Sequence, residues 1–245
     1  MEGMTRAELD KTASSDFALG GRPMRPRDAA TLILLDRQGS DIRVLMGRRH
    51  MRHAFMPGKF VFPGGRTDPF DSRVEVAEGL HPAVAVKLIG AQRPVTSARA
   101  RAIALSALRE TYEEAGLIIG RKGAFSTRHP GWQAFSDHGV QPDLGMVRFI
   151  ARAITPPGRV RRYDTRFLAL WRENIVVELD EKPTDELEEL VWVPLSDTAT
   201  LDLPAITKKV LADLGAMLAI DPDLSPDGPV PFYRMLHNRF TRVLL

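Results

Sequence analysis

The chain has 245 residues, 44% hydrophobic and 27% charged, which suits one large soluble domain or a domain with an extension, with enough apolar residues to bury a core. Lysine and arginine number 34 against 31 acidic residues, so there is no nucleic-acid-binding tail, and the lack of cysteine excludes disulfides, thiolate metal sites and cysteine nucleophiles. No run approaches the ~18 apolar residues of a membrane span and the N-terminus has no apolar signal core, so a cytoplasmic protein acting away from membranes is expected.

The first 28 residues are polar and mixed, broken by Gly20-Gly21, Pro23 and Pro26. Ala29 to Leu35, a turn at Asp36-Arg37-Gln38-Gly39-Ser40, and Ile42 to Gly47 predict a β-hairpin. A polar loop punctuated by Pro57-Gly58 follows, then a short strand over Lys59 to Phe62 that runs into Pro63-Gly64-Gly65, where glycine lets the backbone approach a ligand closely. Thr67 to Thr96 reads as an insertion with short helices near Ser72 to Glu78 and Ala83 to Ile89. Ser97 to Ala115 is helical, with Ala104, Leu108, Thr111, Tyr112 and Ala115 as its buried stripe and Gly116 as its C-cap.

Beyond the helix, Leu117 to Ile119 reads as a strand, 131–139 as a short helix or loop, and Met146 to Ile154 as a strand. A break at Thr155-Pro156-Pro157-Gly158 leads into a basic loop, 159–166, then strands at Phe167 to Trp171, Ile175 to Glu178 and Leu190 to Pro194. The segment 180–189 is acidic, Pro204 to Ala219 is an amphipathic helix, and Pro231 to Arg242 is a basic, aromatic tail. One α/β domain with appendages accounts for this order.

The stretch Arg109-Glu110-Thr111-Tyr112-Glu113-Glu114-Ala115-Gly116-Leu117 carries the chemistry. Helical spacing puts Glu110, Glu113 and Glu114 on one face, where like charges repel by roughly 0.2–0.5 kcal/mol per pair. Singly, these are ordinary surface residues. As a cluster they call for a positive group, and a hard divalent cation with oxygen ligands is the natural one.

These nine residues resemble the C-terminal half of the Nudix box, G-x5-E-x7-R-E-U-x-E-E-x-G-U with U aliphatic, except that Thr111 replaces an aliphatic residue. Phe62-Pro63-Gly64-Gly65 is similar to the family's strand-to-loop glycines, but lies more than forty residues upstream of Arg109. Counting back from Arg109 without a gap, the first box glutamate falls on Arg101, so it is missing or is supplied by the insertion, with Glu75 and Glu78 in view. The Phe55 to Gly65 stretch, the long insertion, and Ile154-Thr155-Pro156-Pro157 followed by Arg162 to Phe167 resemble the coenzyme A and acyl-coenzyme A diphosphatase branch of the family.

The resemblance implies a Nudix α/β/α sandwich with a mixed sheet at about 28–200, holding an insertion at about 67–96, after an N-terminal extension (1–27) and before a C-terminal helical extension packed on the domain (201–245). It implies a pyrophosphohydrolase using Mg²⁺ or Mn²⁺, with Glu110, Glu113, Glu114 and the Gly65 carbonyl as metal ligands. Arg109 joins the three glutamates as a catalytic residue by fixing a neighbouring carboxylate, and the general base is a box glutamate or one from the Asp185 to Glu189 loop. Arg52, Phe55, Gly64, Gly65, Arg66, Arg162 and Arg166 are the expected substrate contacts. The expected substrate is coenzyme A or its esters, split to phosphopantetheine products and adenosine 3′,5′-bisphosphate. ADP-ribose, nucleotide sugars or dinucleoside polyphosphates are the alternatives, and a Nudix-fold binding or regulatory module without catalysis is a third reading. Neither nucleic acid nor a membrane is an expected partner, and the family's habit of dimerising leaves room for a homodimer.

Overall fold

A computed structural model describes residues 1–12, 24–52, 56–90 and 94–245. The elements are α1 (Arg6–Thr12), β1 (Arg27–Gln38), β2 (Asp41–Arg49), β3 (Phe60–Val61), β4 (Gly64–Arg66), α2 (Pro82–Ile89), α3 (Ser97–Ala115), β5 (Leu117–Ile119) and β6 (Arg121–Lys122). They continue with α4 (Gln133–Asp137), β7 (Val140–Gln141), β8 (Arg148–Ile154), β9 (Tyr163–Trp171), β10 (Ile175–Glu178), β11 (Leu187–Pro194), α5 (Ala205–Ile220), β12 (Pro231–Leu236) and β13 (Arg239–Leu244).

Among the described residues the main sheet runs β11-β2-β1-β9-β8-β12-β13, with β3 added to β2 and β4 to β1. It is mixed: β1 with β9 and β8 with β12 are parallel, the other pairs antiparallel. Strand periodicity explains why β1 is continuously apolar, since side chains alternate between two covered faces. Ala30, Leu32 and Leu34 pack with Ile103, Ala104, Ala107 and Leu108 of α3, whereas Ile33 and Leu35 pack with Val210, Leu211 and Leu214 of α5. The result is the expected α/β/α sandwich with a mixed sheet.

The helix α3 starts at Thr96, whose side chain accepts from the Arg99 N–H at 3.1 Å, and stops at Gly116, left-handed at φ 70°. Thr111, the departure from the aliphatic box position, is fully buried and donates its hydroxyl to the Ala107 carbonyl at 2.7 Å. That bond is how a polar residue is accommodated there.

Three expectations differ from the structure. No helix forms over Ser72 to Glu78; a single 3₁₀ turn spans Pro69–Arg73, and the next residues bond outward, Ala77 N–H to the Pro142 carbonyl and Leu144 N–H to the Glu78 carbonyl. The basic loop 159–166 is half strand: β9 begins at Tyr163 because its charges are paired, Asp164 with Arg152 at 2.7 Å and Arg166 with Asp28 at 2.7 Å. The C-terminal region is helical only through α5. Its last residues form the β12–β13 hairpin, turned by His237 and Asn238, both with positive φ, and joined to β8.

Candidate functional site

The site is built where β4 meets the C-terminal half of α3. A Cβ on Gly64 would overlap the backbone of Thr31, so glycine is needed there for the loop to lie on β1, and a Cβ on Gly65 would displace the Glu110 carboxylate. The Gly64 N–H donates to Glu114 Oε2 at 2.9 Å. Glycine thus serves both spacing and carboxylate orientation.

Arg109, 7% exposed, organises the remainder. It donates to Glu110 Oε1 at 2.8 Å, to Glu113 Oε2 at 3.1 Å and to the Arg66 carbonyl at 3.0 Å. On its other side it makes a two-pronged bond to Asp71, at 3.1 and 3.2 Å, and the Trp132 indole N–H donates to Asp71 at 3.1 Å. Burial works against the Arg109 charge, but Asp71, Glu110 and Glu113 more than offset it and raise its pKa.

Asp71, with no exposed surface, answers the question of the missing carboxylate. It stands six positions after Gly65, the box spacing with aspartate for glutamate, and the inserted residues lie between it and α3. Counting forward from the glycine would have found it. Glu75 and Glu78 are exposed, Glu78 pairs with Arg121 at 2.5 Å, and Arg101 donates to the Ser72 carbonyl at 2.5 Å.

Burial pushes the Glu114 carboxyl up to about 8, against the opposing effects of the Gly64 N–H and Arg49. Burial likewise takes Glu110 up to about 7, with Arg109 opposing and Glu113 adding. Two carboxylates are therefore held with too little positive charge around them to ionise easily. Among the described residues, no three acidic or imidazole side chains already form a metal cage, because Arg109 and Gly64 hold these oxygens. The all-oxygen donor set nevertheless fits a hard cation that keeps several waters.

A cleft of about 790 Å³ opens on this face. Gly64, Gly65, Arg66, Arg109, Glu110 and Glu113 line one part of it, while Glu114 lies beneath at 2% exposure. Sequence reasoning missed Arg49, which also lines the cleft and pairs with Glu186 at 3.3 Å. Of the acidic loop, Glu186 is the carboxylate in the lining, and its charge bears on both Glu110 and Glu114.

The remaining expected substrate contacts are placed elsewhere. Arg52 is exposed and paired with Asp185 at 2.6 Å. Arg162 spends its donors on the Thr155 carbonyl at 3.0 Å and the Met24 carbonyl at 2.6 Å, and Arg166, 1% exposed, is locked to Asp28. None of these three lines the cleft; the cations that do are Arg49, Arg66, Arg99, Arg159 and Arg161, beside Arg27 and Arg109. Phe55 lies outside the described residues.

The sequence matches no protein-family model and no curated protein. A crystal structure of a NUDIX hydrolase from Alicyclobacillus acidocaldarius matches at a TM-score of 0.58 and 26% identity, covering 83% of this chain and 99% of that one. The chain has the Nudix hydrolase fold. The match supports a hydrolase acting on diphosphate bonds, and the residues of this sequence that follow the box pattern are Gly65, Asp71, Arg109, Glu110, Glu113, Glu114 and Gly116. More distant matches are a Nudix hydrolase from M. smegmatis, RenU, at 15% identity and TM-score 0.45, over 91% of this chain and 96% of that one, and the NUDIX domain of Shewanella oneidensis NrtR, solved with ADP ribose, at 11% and 0.46, over 88% and 99%. In this Nudix box the long insertion falls after the first carboxylate and leaves the Arg109 contacts intact.

Proposed function

We propose that the chain is a divalent-metal-dependent pyrophosphohydrolase that splits coenzyme A or its acyl esters into a phosphopantetheine product and adenosine 3′,5′-bisphosphate. The observation that carries this reading is the set of box carboxylates on a cleft of about 790 Å³, Glu110 and Glu113 in its lining and Glu114 beneath, with Glu110 and Glu114 held at raised pKa. Coenzyme A as the substrate rests on the resemblance of Phe55 to Gly65, the insertion and 154–167 to the diphosphatases for it.

Glu110, Glu113 and Glu114 would hold Mg²⁺ or Mn²⁺, with the Gly65 carbonyl beside them, and the cation supplies charge for the phosphate oxygens and acidifies a water. The protein's own groups set the stage. Arg109 fixes the rotamers of Glu110 and Glu113, and Asp71 fixes Arg109. Hydrolysis breaks one phosphorus–oxygen bond of the bridge and moves a proton from the attacking water to a carboxylate, for which Glu186 and the box glutamates are at hand. Arg66 and Arg161 line the cleft as guanidinium donors for the remaining phosphates, and Arg99 lines it with its Nε already on Asp28 at 2.8 Å.

Incubation with Mg²⁺ and a panel of coenzyme A, acyl-coenzyme A, ADP-ribose, nucleotide sugars and dinucleoside polyphosphates tests this. Release of adenosine 3′,5′-bisphosphate at the highest kcat/KM is expected. Faster cleavage of ADP-ribose or a dinucleotide overturns the substrate, and no cleavage of any member overturns the enzyme.

Metal binding carries its own pH signature. Unfolded glutamates release their protons near pH 4.3, whereas Glu110 and Glu114 keep theirs to about 7 and about 8. Between these values the native state binds more protons than the unfolded chain, so without metal these two groups lower stability as pH rises through that window. Mg²⁺ must displace those protons. The Tm gain from Mg²⁺ is therefore expected to grow from about pH 6 to about pH 8.5; a gain that is flat or falls with pH would place the metal elsewhere.

A further inference from the structure

We propose that the part of this cleft on the α5 face of the sheet is an apolar subsite for a flexible chain carried on the substrate's diphosphate, and that Leu9 and Phe240, from segments near the two termini, limit the length of that chain. The inference rests on the diphosphate reading for what sits among the carboxylates, and it does not depend on coenzyme A.

The lining crosses the sheet. It starts at Gly64 and Gly65 on β4, passes Thr31 of β1 and Phe167 of β9, and reaches Ala153 of β8. Three strand spacings make that path ~14 Å, longer than a diphosphate with its cations requires. The volume lies toward the upper end of the roughly 300–1,000 Å³ of small-molecule sites.

Along that path the chemistry changes. Leu9, Ala153, Phe167, Ile206 and Phe240 all line the cleft, and all belong to the apolar cluster on the α5 face of the sheet. Leu9 and Phe240 are each only 3% exposed, so they stand as wall and not as surface. Both come from the termini, Leu9 from α1 and Phe240 from β13.

The wall is fixed in place. The Gly3 N–H donates to the Phe240 carbonyl at 2.8 Å and the Phe240 N–H to the Met4 carbonyl at 2.8 Å, which ties the N-terminal segment to the hairpin. Asp10 of α1 pairs with Arg159 at 2.7 Å, and that guanidinium is 1% exposed on its side chain. Arg159, held by Asp10, and the exposed Arg161 also line the cleft, so Arg161 brings anionic recognition into the same space as the apolar wall. The matching ligand is amphipathic, with a diphosphate head and an alkyl or acyl arm.

Calorimetric titration of the full chain, with Ca²⁺ in place of Mg²⁺ to hold back turnover, compares ethyl, butyl and octyl diphosphate with 1-octanol. Affinity is expected to rise roughly fourfold per methylene as the arm is buried. Leu9→Trp and Ile206→Trp fill the subsite from two different elements, so one remains informative if the other does not fold. Each is expected to lower the ratio of octyl to ethyl affinity by about tenfold or more. Affinity independent of arm length, or an unchanged ratio in the folded variants, overturns the subsite.

Octanol, having no phosphate, separates the two readings. Octanol that binds and is blocked by the tryptophans, with no diphosphate binding, keeps the subsite and removes the diphosphate reading. Ethyl diphosphate that binds without any benefit from a longer arm does the reverse, and no binding of either probe overturns both.

Discussion

Glu114→Gln is expected to lower turnover on the order of 10²-fold or more while leaving the metal-free protein as stable as before, or more stable. The two effects come from one cause. Glu114 is 2% exposed and its carboxyl is pushed up to about 8 by burial, so near neutral pH the fold without metal favours the uncharged form. Glutamine is that form made permanent, and its side-chain carbonyl can still accept from the Gly64 N–H, now 2.9 Å from Oε2. What glutamine removes is the anionic oxygen a divalent cation needs, and loss of a metal-site group costs rate in kcat more than in binding of a distal substrate arm. Steady-state kinetics with Mg²⁺ and a melting curve without it read the two effects separately. Unchanged turnover would mean the metal is held elsewhere, and a large loss of stability would mean that Glu114 is charged in the resting fold.

The outline of this site was legible because it depends on short-range rules. The α3 helix has its cap at Gly116, its apolar stripe and its carboxylates in one continuous stretch, and Gly64 is a glycine where the loop backbone runs closely against β1. What stayed hidden depends on pairing at a distance. Arg162 and Arg166 look like phosphate donors in a basic loop, and nothing local says that Asp28, Asp164 and two carbonyls already occupy them. The final hairpin was missed for a related reason: Phe232, Tyr233 and Phe240 read as aromatic residues of a tail until they are seen buried against β8 and α5, with Tyr233 bonded to Asp213. Asp71 was missed because the insertion breaks the count from Arg109, although the count from Gly65 is intact.

Asp71→Ala is expected to cost about 3–5 kcal/mol of stability, the range for removing one partner of a buried ion pair. Asp71 has no exposed surface and accepts from Arg109 twice, from the Trp132 indole at 3.1 Å and from the Asp68 N–H at 2.9 Å. Alanine would leave the indole N–H buried without an acceptor and Arg109 balanced only by Glu110 and Glu113. Those two would then be drawn toward Arg109 as its remaining counter-charges, so weaker Mg²⁺ binding is expected as well. Asp71→Asn keeps an acceptor for the indole but turns an N–H₂ group or a neutral oxygen toward the guanidinium, and should fall between alanine and wild type. Urea unfolding midpoints for the three proteins, with Mg²⁺ titrations on each, measure both effects. A loss below about 1 kcal/mol in the alanine variant would mean that Glu110 and Glu113 alone neutralise Arg109. The long insertion would then separate α3 from a carboxylate the box does not need, and the tolerance of this Nudix fold for that insertion would require a different support.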